Sequence, residues 1–201
     1  ATSRQDCPVR VGDLAVYERP MVQTGGRVIS RALDDRVGVA ILVEVIRSLA
    51  DVPNELIFVF SVQEEMNRQG AATAGFAHEA DLALAVDVTT TGDTPDAGRM
   101  AVRLGLGPAI KVRDQGMISD PRIVQWMADT ARQEGIAHQF EVLERGTTDA
   151  QMLQVSRSGT PAGCLSIPIR YLHSPAEMVD LQDVERTYRL LLCLLSRKAD
   201  L

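Results

Sequence analysis

Cysteine is scarce: Cys7, Cys164 and Cys193 are the whole supply, odd in number, widely spaced and without a Cys-x-x-Cys pattern. That excludes a disulfide framework and points to free or buried thiols in a reducing compartment, so cytoplasm is the expected location. A basic excess is missing as well. Lys and Arg number 21 against 27 Asp and Glu, a formal net charge of −6, and no basic stripe with interleaved aromatics occurs, which argues against nucleic-acid and anionic-membrane partners. Long hydrophobic runs are absent: the longest apolar cluster, Leu190 to Leu195, is far too short to span a bilayer. Arg4 and Asp6 stand where a secretory signal would need its apolar core. There are no internal repeats or low-complexity segments. What is there is ordinary globular composition, 201 residues with 45% hydrophobic and 24% charged. That is enough for one domain, or one and a piece of another, with a real core.

Apolar runs alternate with helical patterns along the chain. Val9-Arg10-Val11 and Leu14 to Tyr17 read as two short strands around a Gly12-Asp13 turn, and Gly25-Gly26 marks a second turn. From residue 36 to 50, Val37, Ile41, Val45 and Leu49 recur at helical spacing, and Pro53 stops the helix. Leu56–Val62 and Asp81–Val86 read as central strands buried on both faces, with a short Ala-rich helix over Gly70–Ala77 between them. Residues 98–118 read as a strand and an irregular segment. Asp120-Pro121 is a helix start, Asp at the N-cap and Pro at the first position, and the helix runs to about Glu134 before Gly135. His138–Leu143 is a strand, Gly146–Ala150 a turn into a short helix, and Gly163–Ile167 a further strand. The last helix, about Leu181 to Ser196, aligns Val184, Tyr188, Leu191 and Leu195. This alternation predicts an α/β fold: an open mixed, mostly parallel sheet with helices on both faces.

The chemistry gathers at strand ends. Phe58 to Val62 runs into Gln63-Glu64-Glu65, Leu82 to Val86 into Asp87, and Ala32-Leu33 carries Asp34-Asp35-Arg36 just ahead of a helix. In open α/β sheets, ligands bind outside the carboxyl ends of strands. A Glu-Glu pair alone is most often a solvated turn, and a lone histidine most often a satisfied surface or core residue. Three acidic clusters together with Tyr171-Leu172-His173-Ser174-Pro175 are a different matter, because clustered carboxylates repel unless a cation joins them. Mixed carboxylate and imidazole donors suit zinc or a similar divalent ion, and a pair of ions sharing a carboxylate suits a hydrolase. One carboxylate must then stay free to take a proton from water.

The set Ala-Leu-Asp-Asp-Arg-Val-Gly, Ser-Val-Gln-Glu-Glu, Ala-Val-Asp-Val-Thr, Gly-Thr-Thr-Asp-Ala and Ile-Pro-Ile-Arg-Tyr-Leu-His-Ser-Pro resembles the M42 family of co-catalytic metallo-aminopeptidases, in the zinc-exopeptidase clan. The likeness runs from about Val9 to the C-terminus. It implies that Asp34 bridges two divalent ions, zinc or cobalt, that Glu65, Asp87 and His173 bind them, and that Glu64 is the general base. It implies that Asp35 and Arg36 support this shell, and that Thr148, Asp149, Arg170 and Tyr171 line or brace a pocket for peptide substrates. It also implies homo-oligomers assembled from dimers, up to a dodecamer.

The chain departs from the family pattern in two places. It has no His-x-Asp, the motif that supplies the family's first ligand upstream of an inserted β domain. Residues 1–26 are therefore expected to be the remnant of that inserted domain and residues 27–201 a catalytic domain incomplete at its N-terminus, binding metal weakly on its own. His78 and His138 match no ligand motif. After the glutamates the family more often carries an apolar residue and glycine, then Arg-Gly, whereas here Met66-Asn67-Arg68-Gln69-Gly70 follows. Two alternatives stay open beside the aminopeptidase: a non-catalytic assembly or binding domain, and a related amidohydrolase or deacylase of the same clan.

Overall fold

The computed structural model describes residues 6–199 and residue 201. Residues 1–5, part of the expected remnant and of the segment weighed as a secretory signal, lie outside the described residues. The elements in order are β1 (Val22–Thr24), β2 (Arg27–Ser30), α1 (Leu33–Ser48), α2 (Gln69–Ala77), β3 (Ala83–Thr90) and β4 (Ala109–Arg113). Then come α3 (Pro121–Gln133), β5 (Gln139–Val142), α4 (Asp149–Gln154), β6 (Ala162–Arg170), β7 (Glu177–Asp180) and α5 (Leu181–Leu195). No helix among the described residues is long and apolar enough to cross a membrane.

One seven-stranded sheet holds them, in the order β1-β2-β7-β6-β4-β5 with β3 on the other edge of β6. The sheet is mixed. Parallel pairing joins β3 to β6 over the longest ladder and β4 to β5, and the remaining pairs are antiparallel. β6, buried along nearly its whole length, is the axis. Side chains alternate across a strand, so Leu165, Ile167 and Ile169 face one way with Val86 and Val88 and meet α1, α3 and α5 through Val45, Ile123, Met127 and Leu191. Ala85 and Cys164 face the other way and meet Ala150 of α4. Asp87 alternates with Val86 and Val88 and so belongs to this second face, where helix cover is thin and a cleft can open.

Local chemistry explains the helix ends. Asp120 Oδ1 accepts from the Arg122 N–H, 2.9 Å, and Pro121 opens α3 without an orphan donor. Asp180 caps α5 in the same way, accepting from the Gln182 N–H. Gly70 is required by a close approach: its N–H donates to the Val62 carbonyl, and a Cβ there would lie 2.4 Å from the Val62 nitrogen.

Several expectations need correction. Leu56–Val62 joins no ladder among the described residues; Ile57, Val59, Phe60 and Val62 are exposed rather than core. A strand needs a neighbour for its backbone groups, and among the described residues β3 pairs only with β6. Val9–Val11 and Leu14–Tyr17 likewise form no strands, although the turn between them is closed by an Asp13 N–H bond to the Arg10 carbonyl. β3 runs on to Thr90 and β6 to Arg170, so Asp87 lies inside its strand rather than past its end. β7 was not foreseen. The buried face of α5 is Asp183, Thr187, Leu190, Leu191 and Leu194, turned from the expected stripe because Asp183 is drawn inward. The turn of the β1–β2 hairpin coincides with the 26/27 boundary.

Candidate active site

The acidic residues arrive from four parts of the chain. Asp34 and Asp35 sit in the first turn of α1 with non-helical backbone angles. Glu64 and Glu65 occupy the turn between the 56–62 segment and α2, and Asp87 stands within β3. His173 lies in the bend between β6 and β7. Its Nε2 is 3.1 Å from Asp34 Oδ2 and 3.5 Å from Glu65 Oε1, and one donor atom from each of the three residues falls within 4.8 Å of the others. The donors are two carboxylate oxygens and one imidazole nitrogen, a set that fits a zinc-like divalent cation.

Glu177 holds two of these residues in place. It is 2% exposed, yet Oε2 accepts from the Asp34 N–H at 3.1 Å and Oε1 from the His173 N–H at 3.0 Å. One buried carboxylate thereby ties the start of α1 to the β6–β7 bend. The surrounding backbone is unusual: Ala32, Gln63, Asn67, Arg68, Tyr171 and His173 have φ of 56, 59, 67, 54, 58 and 61°. Non-glycine residues adopt this left-handed region sparingly, and such residues gather at functional sites.

Crowded carboxylates in a half-dry cleft resist ionisation. Burial, then the neighbouring Glu65 charge, pushes Asp34 up to about 6. Burial, then Asp149 and Glu65, pushes Glu64 up to about 7. Asp35 is driven to about 9 by burial and by Asp87. Asp87 is raised well above the usual carboxylate range, chiefly by burial, although its Oδ1 accepts from the Val88 N–H at 2.7 Å. Such opposition between burial and ionisation is what a bound cation relieves.

These groups border a cleft of about 230 Å³. Asp34, Glu64, Glu65, Asp87 and His173 line it together with Thr89, Thr90, Leu143, Arg145 to Thr148 and Arg68. A wider groove of about 520 Å³ beside α3, lined by Arg122, Trp126 and Arg197 among others, shares no residue with it and holds no histidine.

Of the further residues singled out in the sequence, Thr148 lines the cleft. Asp149 stands behind it, with Oδ2 receiving a 2.5 Å hydrogen bond from Ser61 Oγ. Asp35 is turned back onto its own helix, where Oδ1 accepts from the Gly38 N–H. Arg36 is exposed, Tyr171 is half exposed, and neither borders the cleft. Arg170 forks onto Asp93, Nε at 3.0 Å and Nη2 at 2.8 Å, and this pairing holds the Asp93 carboxyl well below its ordinary range. Arg170 therefore braces the loop after β3 rather than facing the cleft. Sequence reasoning missed Arg68, Arg145, Thr89, Thr147 and Glu177. Glu177 carries no local signal, because its partners Asp34 and His173 are set by the fold.

The family model described as M42 glutamyl aminopeptidase matches residues 2–190. The chain belongs to the M42 peptidase family. An aminopeptidase-like protein of Acetivibrio thermocellus is 42% identical over 193 residues, covering 95% of this chain and 58% of that relative. The structure of aminopeptidase APDkam598 from the archaeon Desulfurococcus kamchatkensis superimposes with a TM-score of 0.90 at 37% identity, over 94% of this chain and 54% of that one. The Pyrococcus horikoshii TET1 peptidase, whose structure is described as assembling into a tetrahedron or a large octahedral shell, gives a TM-score of 0.79 at 33% identity over 90% of this chain and 53% of its own. The chain thus spans little more than half the length of these M42 relatives.

Proposed function

We propose that this chain is the catalytic part of a metal-dependent aminopeptidase that removes the N-terminal residue of peptides. The observation that carries the reading is the convergence of Asp34, Glu65 and His173 to within 4.8 Å, beside a Glu64 whose carboxyl is lifted to about 7. Two divalent ions, zinc or cobalt, would be held by Asp34, Glu65, Asp87 and His173, with Asp34 shared between them. Bound there, they would acidify water and polarise a carbonyl.

The chain's own residues do the rest. Glu64 takes the proton from the attacking water and returns it to the departing amine, work suited to a group titrating near neutrality. Glu177 keeps Asp34 and His173 in register through their backbone N–H groups. Asp35, placed behind Asp34, and the Asp149–Ser61 pair support the shell. A homo-oligomeric, cytoplasmic enzyme follows from the likeness to the assembling TET1 peptidase and from the thiol pattern.

Glu64→Gln is the test. Turnover of aminoacyl-p-nitroanilides falls by about 10²–10⁴, while bound metal, counted by elemental analysis, stays the same. Undiminished turnover would remove Glu64 from the role of base. A second reading, assembly without catalysis, is favoured by one observation: Val39, Val43 and Ile46 make an exposed apolar stripe along α1. Bound metal with no turnover by any chain length would select it.

A further inference from the structure

Lys111 and Glu141 are wholly buried, with Nζ 2.5 Å from Oε1. An ion pair in such a place is weak support for a fold, since two apolar side chains of similar size fill the same space without any desolvation penalty. What the pair does supply is a carboxylate, a group with only lone pairs to offer, held one hydrogen bond away from the cleft. The same Oε1 accepts from Thr89 Oγ1 at 2.7 Å, and Thr89 borders the cleft beside Asp87. Thr89 and Asp87 stand two apart on β3 and so share a face of the sheet. In the sheet, β3 and β5 are separated by β6 and β4, so the Thr89–Glu141 bond is a strut thrown across two intervening strands. β3 has few other restraints. Among the described residues it pairs with β6 alone, and the Asp87 carboxylate accepts its one hydrogen bond from the adjacent Val88 N–H. That bond fixes the carboxylate relative to its own backbone but not relative to the rest of the sheet. Asp34 and His173 differ, because the buried Glu177 ties both to one point.

We propose that Glu141, clamped by Lys111 and acting through Thr89, is a positioning residue for Asp87, and that it sets where this carboxylate stands in the candidate metal centre. The inference rests on the metal-dependent reading above, in which Asp87 is a ligand. A threonine hydroxyl has one proton to give, and giving it to a fixed acceptor fixes the side chain and, with it, the stretch of β3 that carries Asp87. The buried charges then have a use that an apolar pair could not fill: Lys111 keeps Glu141 in place, and Glu141 keeps β3 in place. Groups that orient a metal ligand without touching the metal change its affinity by about 10–100-fold.

Zinc titrated calorimetrically into the chain reads this role. Thr89→Val keeps the shape of the side chain and removes its proton, and zinc affinity falls about tenfold or more. Thr89→Ser keeps the hydroxyl and stays within about threefold of the original. Lys111→Met combined with Glu141→Leu removes the strut without leaving a lone buried charge; it still melts cooperatively and shows the same loss of zinc affinity as Thr89→Val. Asp183→Asn, on α5 and away from the cleft, lowers stability and leaves zinc affinity unchanged, which separates positioning from a general loosening of the fold. Unchanged affinity in Thr89→Val or in the double variant, the full loss in Thr89→Ser, an equal loss in Asp183→Asn, or no zinc bound by the unaltered chain overturns the proposal. Zinc affinity that follows the expected pattern without hydrolysis of any aminoacyl-p-nitroanilide overturns the peptidase reading and leaves the positioning role standing; hydrolysis with zinc affinity indifferent to Thr89 overturns the positioning role alone.

Discussion

Replacing Lys111 with Met removes one charge from a pair that never meets water. Lys111 and Glu141 are both 0% exposed. They lie in register on β4 and β5, with Nζ 2.5 Å from Oε1. Burial by itself pushes the ammonium down, but Cys164, Glu141 and Asp114, the last at 3.9 Å, outweigh it and hold the group above its ordinary value. Met is close to Lys in length and volume, so the substitution opens little cavity and its cost is electrostatic. Glu141 must then stay ionised without its partner or take up a proton. Thr89 Oγ1 still donates to Oε1 at 2.7 Å, but Oε2 has no partner to fall back on.

Breaking one side of a buried pair costs about 3–5 kcal/mol. A chain of this size melts about 2–4 °C lower for each kcal/mol lost, so the melting point falls by about 6–20 °C. The double variant Lys111→Met with Glu141→Leu removes both charges. It should recover to within about 1–2 kcal/mol of the original, the residue being the acceptor that Thr89 loses. Urea unfolding followed by circular dichroism, fitted with a common slope, reads both quantities. A loss below about 1 kcal/mol for the single variant, or a double variant as unstable as the two singles added, refutes the reasoning.

Three further outcomes follow from the same kind of accounting. Glu177→Gln sets an amide N–H against a backbone N–H and weakens zinc binding about 10–100-fold in a calorimetric titration, the size expected when the support of a ligand is removed; unchanged affinity would mean that Glu177 positions nothing. Asp183→Asn disturbs a wholly buried carboxylate whose oxygens accept from the Gly105 and Gly107 N–H groups at 2.6 and 2.7 Å, and urea unfolding should show a loss of about 1.5–3 kcal/mol. Asp34, Glu64 and Asp35 titrate at about 6, 7 and 9 in the fold, all above their unfolded values near 4. Their contribution is complete below that point and is lost as pH rises through the folded values. The metal-free protein therefore has a lower urea midpoint at pH 9 than at pH 5.5, and zinc reverses the trend; a higher midpoint at pH 9 without metal contradicts the assignment.

What was legible in the sequence was local. α3 announced itself through Asp120, Pro121 and Gly135, and its N-cap bond spans only two residues. β3 and β6 were visible as apolar runs because both are covered on two faces. The candidate ligands were legible as residue types at the ends of apolar runs, since carboxylates that close such a run are conspicuous whatever lies around them. The failures share one physical cause, dependence on partners far along the chain. Leu56–Val62 has a strand's composition, but whether it becomes one depends on a neighbour to complete its backbone bonds, and no pattern within seven residues reports that.

Arg170 looked available for a substrate until the fold brought Asp93 to it from 77 residues away. Glu177 reads as an ordinary surface glutamate, yet it reaches the Asp34 N–H across 143 residues. Lys111 and Glu141 are the extreme case. Each follows an apolar residue as a charged strand position normally would, and hydrophobic alternation would send both to solvent. They are interior because the two positions are cross-strand neighbours on the face of the sheet that carries Thr89 and Cys164, and they neutralise one another there. Burial of a charge is thus a property of the pair, decided only when β4 and β5 align. The same holds for the candidate active site: Asp34, Glu65 and His173 are separately unremarkable, and the buried Glu177 that anchors two of them makes them a single centre.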